Sequence, residues 1–141
     1  MTVTFFGHKD TPEAITTTLE NTITNLIINH NADMFYIGNN GNFDRYATGI
    51  LSRLETTYPH IKFFIVLTTP NDKTALFPDH TVYPEGLETT PKHLLILKRN
   101  QWMISKADTV VTYLTHTTTN TYKLVNLAEA KGKTIINIAK I

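Results

Sequence analysis

The chain has 141 residues, a formal net charge of +1, 18% charged residues and no cysteine. That length suits one domain with a proper hydrophobic core. The charge balance leaves no electrostatic footprint for nucleic acid, and the lack of cysteine excludes disulfides and thiolate metal sites. A cysteine-free chain is expected in the cytoplasm rather than outside the cell. The first residues run straight into Val3-Thr4-Phe5-Phe6 with no basic region before an apolar stretch, so no signal peptide is expected. No apolar run reaches the length of a membrane span, so no membrane partner is expected.

Thr2 to Phe6 reads as a first strand, and its paired phenylalanines suggest cover on both faces. Gly7-His8-Lys9-Asp10 ends it. Thr11 then reads as the cap of a helix with Pro12 at its first position. Ile15, Leu19, Ile23, Leu26 and Ile27 follow at helical steps to about His30. Met34 to Ile37 reads as the second strand.

The stretch from Gly38 through Asn39, Asn40, Gly41, Asn42 and Phe43 to Asp44 reads as a tight loop leading into a helix. The apolar spacing of Phe43, Tyr46, Ala47, Ile50, Leu51 and Leu54 carries that helix to about Thr57. Glycines let a ligand approach the backbone, and a helix start favours an anion. A plain strand-to-helix turn needs glycines as well. Asp44, in the first helical turn, suits a ribose hydroxyl better than a phosphate.

Lys62 to Leu67 reads as a third strand, residues 68–80 as a long loop, and residues 81–83 as a short strand. Pro84 to Thr89 is loop. Thr90-Pro91 reads as the start of a helix through Lys106, although Leu94 to Leu97 also fits a short strand. Thr109 to Leu114 is a strand. Thr119 or Asn120 caps a helix that Gly132 ends, and Thr134 to Ile138 is the last strand. Alternating strands and helices argue for a three-layer α/β fold with a mainly parallel sheet, in a single domain spanning residues 1–141.

Such sheets bind ligands beyond the carboxyl ends of their strands. The expected edge includes His8 and Lys9, which are either donors to a ligand or a polar loop. Lys98 and Arg99 are either a solvated helix face, or Arg99 and Asn100 turn into the pocket, where a guanidinium can fork to a phosphate. Thr117, Thr118 and Thr119 offer a cap, a second anion site, or both. His8 and His116 could meet at this edge, but two ligands do not make a zinc site, so no metal is expected.

Taken together, four blocks resemble the SLOG superfamily. Gly7-His8-Lys9 resembles its Gly-His-Arg start. Gly38 to Asp44 resembles its glycine loop ending in Phe-Asp. Arg99-Asn100-Gln101-Trp102-Met103-Ile104, followed by Asp108 and a strand, resembles its third block. Residues 130–137 resemble its closing segment. The likeness is nearest to the small YpsA-like, single-domain branch. It implies a Rossmann-like fold with Gly7, His8, Gly38, Gly41, Phe43, Asp44, Arg99 and Asn100 lining a site for a nucleotide-derived small molecule. Related branches include Lonely-Guy-type phosphoribohydrolases and sensors of ADP-ribose-like signals.

Three departures stand out. Lys9 replaces an arginine, threonines replace a glycine pair near Thr118, and no glutamate follows before Glu129. The expected function is therefore binding or sensing with no required cofactor. The alternatives are an N-glycosidic-bond enzyme, either a phosphoribohydrolase or deoxyribosyltransferase-like, and an interaction module with a degenerate pocket. The candidate catalytic carboxylates are Asp44 and Glu85, with Asp10 behind them. A homo-oligomer is also expected, from the resemblance and from Trp102-Met103 packing across a two-fold.

Overall fold

Consecutive apolar residues in a strand need cover on both faces, and the chain provides it with helices on either side of a six-stranded sheet. The structure, a computed structural model, describes residues 1–70, 72, 77–117 and 119–140. In chain order the main elements are β1 (Thr2–Gly7), α1 (Thr16–Asn29), β2 (Met34–Ile37), α2 (Asn42–Thr57), β3 (Lys62–Val66), β4 (Thr81–Val82), α3 (Leu95–Lys106), β5 (Thr109–Tyr113), α4 (Asn120–Ala130) and β6 (Thr134–Asn137).

The strand order is β4-β3-β2-β1-β5-β6. Every pairing among the described residues is parallel. The chain steps outward from β1 to β4, then returns past β1 to lay down β5 and β6. Right-handed crossovers on such a path place early and late helices on opposite faces. Phe5, Phe35, Phe63 and Val111 accordingly share a core with residues of α1 and α2. Phe6, Val66 and Val110 share another with Met103 and Ile104 of α3 and Ala128 of α4. The fold is a three-layer α/β, Rossmann-like one. Among the described residues, no helix is long and apolar enough to cross a membrane.

Three buried threonines satisfy their hydroxyls within the sheet or within α2. The hydroxyls of Thr4, Thr48 and Thr112 donate to the carbonyls of Tyr36, Asp44 and Phe6. Each buries a methyl group beside a satisfied hydroxyl, as a buried polar atom requires.

Some local expectations are corrected. Thr11 does not cap the first helix. Its hydroxyl donates back to the His8 carbonyl, and a short 3-10 turn, Glu13–Ile15, precedes α1. Leu94 to Leu97 is not a strand, because Lys92–Leu94 forms a 3-10 turn that runs into α3. Met103 is fully buried and cannot form a two-fold contact. Trp102 packs edge-on against Tyr36, with ring centroids 5.1 Å apart. The exposed apolar side chains of α3 are instead Ile96, at 51% exposure, and Leu97, at 43%. Within the expected loop at 68–80, residues 71 and 73–76 lie outside the described residues, and Pro78–His80 forms a 3-10 turn. Ile141 also lies outside them.

Candidate functional site

The path reverses between β1 and β5, and a doubly wound sheet opens a crevice where its order reverses. A cavity of about 430 Å³ lies there, at the carboxyl ends of the strands. The loop after β1 supplies Gly7, His8, Lys9 and Asp10 to its wall. The loop after β2 and the start of α2 supply Asn40 and Asp44, and α3 supplies Ile96, Arg99 and Asn100. The far wall is His116 with Thr119, Asn120, Thr121 and Leu124.

Arg99 reaches this wall because of its helix phase. The buried face of α3 is Arg99, Asn100, Met103 and Ile104, so Arg99 shares a stripe with Met103 one turn on, while Lys98 stays exposed. Arg99 is only 3% exposed. Its Nε donates to Asn100 Oδ1 at 2.8 Å, and its Nη1 donates to the Val66 carbonyl at 3.0 Å and to Asn39 Oδ1 at 3.4 Å. Among the described residues, Nη2 has no hydrogen-bond partner.

Asp44 lies beside it. Oδ2 of Asp44 accepts the Asn40 N–H at 3.0 Å. A Cβ placed on Gly38 would lie 2.8 Å from Asp44 Oδ2 and 3.3 Å from Arg99 Cζ. Gly38 is therefore the wedge between carboxylate and guanidinium, and any side chain would force them apart. Burial pushes the Asp44 carboxyl up to about 6, against the pull of the Asn40 N–H and of Arg99. Burial also lowers the Arg99 value, with Asp44 opposing.

His8 is held in one tautomer. The Thr115 N–H donates to its Nε2 at 3.0 Å, so the proton sits on Nδ1. Burial, then the nearby His116 ring at 5.3 Å, lowers the His8 pKa, while Asp10 raises it. Thus His8 and His116 do meet. Among the described residues, no cluster of three or more His, Asp or Glu could hold a metal.

The glycine loop does not present itself as expected. A Cβ on Gly7 would lie 2.2 Å from Phe43 Cγ, so Gly7 makes room for that ring. Phe43 is core, its ring tilted against Phe5, and it does not line this cavity. Gly41 has φ +109, and a Cβ there would lie 2.7 Å from Lys9 Cα. Its missing Cβ makes room for the β1 loop, while the residue itself stays exposed. Gly38, Asn39, Gly41 and Asn42 border a second cavity of about 330 Å³ on the other side of the loop, and Asp44 borders both.

The remaining expected residues divide. Thr119 lines the main cavity, Thr117 is exposed and lines neither, and Thr118 lies outside the described residues. Glu85 follows β4 at the outer edge of the sheet and borders neither cavity. Ile96, Thr121 and Leu124 were not singled out beforehand. Apolar residues on a helix read as core stripe, and nothing in their spacing distinguishes a cavity wall.

No protein-family model matches the chain, and no curated protein matches it either.

Proposed function

We propose that the chain is a SLOG-like domain that binds a phosphate-bearing, nucleotide-derived small molecule in the cavity between β1 and β5. One observation carries this reading: a buried guanidinium whose Nη2 has no hydrogen-bond partner among the described residues lines the same cavity as the start of α4. At that start, the Thr119 hydroxyl accepts the Tyr122 N–H at 3.3 Å. The N–H groups of Asn120 and Thr121 have no acceptor among the described residues. A helix of 11 residues adds the positive end of its dipole. Ile96 and Leu124 supply an apolar wall that suits a base. The homo-oligomer belongs to this reading too, carried by the exposed Ile96 and Leu97 instead of Trp102 and Met103.

One observation favours the enzymatic alternative. A carboxyl that titrates at about 6 beside the cavity is poised for general acid or base work near neutral pH. Incubation with nucleoside 5′-monophosphates, followed by chromatography for free base, separates the two readings. Binding without release of base is expected.

The direct test is calorimetry with nucleoside monophosphates and their nucleosides. Losing a charge-assisted hydrogen bond costs about 1.5–3 kcal/mol. Arg99→Ala should therefore weaken monophosphates by roughly ten- to a hundredfold and leave nucleosides nearly unchanged. Equal loss for both would mean that Arg99 supports the fold or the base instead.

A further inference from the structure

We infer that Asp44 is a specificity residue that restricts the site to a single phosphate group and turns away pyrophosphate-bearing ligands. The inference rests on the proposed anion site at Arg99 and α4, and it concerns what lies beyond that site.

A pyrophosphate needs a second cradle of donors next to the first. In doubly wound sheets that cradle is a helix start at the strand ends. Three other main helices start among the described residues; that of α3 grows out of the 3-10 turn Lys92–Leu94, and its Leu95 N–H donates to the Lys92 carbonyl. The one after β1 does not reach the cavity, since no residue from Thr11 to Ile15 lines it. Its chain is extended at Pro12, which has no N–H, and the Thr11 N–H donates to the His8 carbonyl at 3.2 Å.

The start of α2 does border the cavity, and although the Phe43 and Asp44 N–H groups have no acceptor among the described residues, two of this chain's own acceptors already face it. The Asn42 N–H donates to the Lys9 carbonyl at 2.9 Å, and the Asn40 N–H donates to Asp44 Oδ2 at 3.0 Å. The Asp44 carboxylate thus faces the helix end that a second phosphate would need. Gly38 leaves room for it there, because a Cβ at that position would meet both the carboxylate and the guanidinium. Lys9 and Asp10, on the neighbouring loop, also line this wall; both are exposed and of opposite charge, which leaves Asp44 to set its sign. A first phosphate at the start of α4 therefore meets free N–H groups with Arg99 across the cavity, whereas one reaching on toward α2 meets the Asp44 carboxylate beside that guanidinium. Discrimination by a built-in repulsive group is a general device.

The test is calorimetry on the full chain at pH 8, without divalent cations, using the four nucleoside monophosphates, their matched diphosphates and ADP-ribose. Within each pair the base is constant, so its identity cancels. For the pair that binds best, the monophosphate should bind at least about tenfold tighter than the diphosphate. In Asp44→Asn, which keeps an acceptor for the Asn40 N–H, that ratio should fall to within about threefold. A diphosphate or ADP-ribose binding as tightly as the monophosphate to the wild-type chain overturns the inference and leaves the anion site standing. An unchanged ratio in a folded Asp44→Asn overturns it as well. Should the variant fail to fold, the wild-type ratio decides alone. If no nucleotide binds, the anion site itself fails and the restriction falls with it.

Discussion

Two helices begin at the same edge of the sheet, and they are finished differently. Each leaves two N–H groups without an acceptor among the described residues: those of Phe43 and Asp44 at α2, and those of Asn120 and Thr121 at α4. At α2 a carboxylate and a carbonyl of the chain itself face the helix end. At α4 a threonine hydroxyl does, and among the described residues no carboxylate joins it. A dipole end already facing a charge of opposite sign has little left to offer a ligand, whereas one capped by a neutral group keeps its field. The glycine-rich start is thus devoted to packing, and the threonine-rich start is left open.

The strongest way to break this contrast lies at Gly7. If the glycines at the α2 end exist for packing, Gly7→Ala must displace the Phe43 ring from a core shared with Phe5. Overpacking of that kind costs about 1–3 kcal/mol, and losing the ring's burial adds to it. A loss of about 3 kcal/mol or more in urea unfolding is expected. A near-neutral result would show that the ring can move aside and that Gly7 serves the cavity instead.

The same contrast explains what was legible in the sequence. The strands and main helices followed from apolar runs and from spacing, because burial on one face or two dictates both. The edge could be located, since parallel sheets put their loops there. Which loop stays open could not be read. A glycine announces that a Cβ is unwelcome, but not which atom forbids it. At Gly7 the atom belongs to Phe43, at Gly41 to Lys9, and at Gly38 to Asp44. All three are tertiary contacts. Arg99 was ambiguous for a similar reason. Only its shared stripe with Met103 separates it from the exposed Lys98.

Asp44 sharpens the comparison through pH. Its carboxyl titrates at about 6 in the folded protein, against an ordinary 3.8. Between those values the folded state holds more protons than the unfolded one, so stability from this group falls as pH rises through the window. Asparagine resembles the protonated form. Asp44→Asn should therefore be more stable than wild type above pH 6, by about 2 kcal/mol after allowance for solvent. The advantage should vanish near pH 4. His8 acts in the opposite sense. Its lowered pKa makes acidification below 6.5 costly, and this is common to both proteins, so it cancels in their difference. A variant no more stable than wild type at pH 8 would mean that the carboxylate is well solvated and that the α2 end is not closed.

The smallest expected effect tests the open end. In Thr119→Ala the Tyr122 N–H loses its acceptor, and removal of such a cap costs about 1 kcal/mol. That change also leaves a third unpaired N–H beside those of Asn120 and Thr121. If α4 begins at an anion site, inorganic phosphate can take over part of the lost cap. The difference in melting temperature between wild type and Thr119→Ala should then shrink as phosphate replaces chloride at constant ionic strength, because a ligand that binds only the folded state stabilises it by mass action. Asp44→Asn serves as the control for general salt effects. Its difference from wild type should not narrow with phosphate, and it should widen if the neutralised α2 end gains affinity for the anion. A Thr119→Ala difference that stays constant across the series would place no anion at α4, and the two helix starts would then be equally closed.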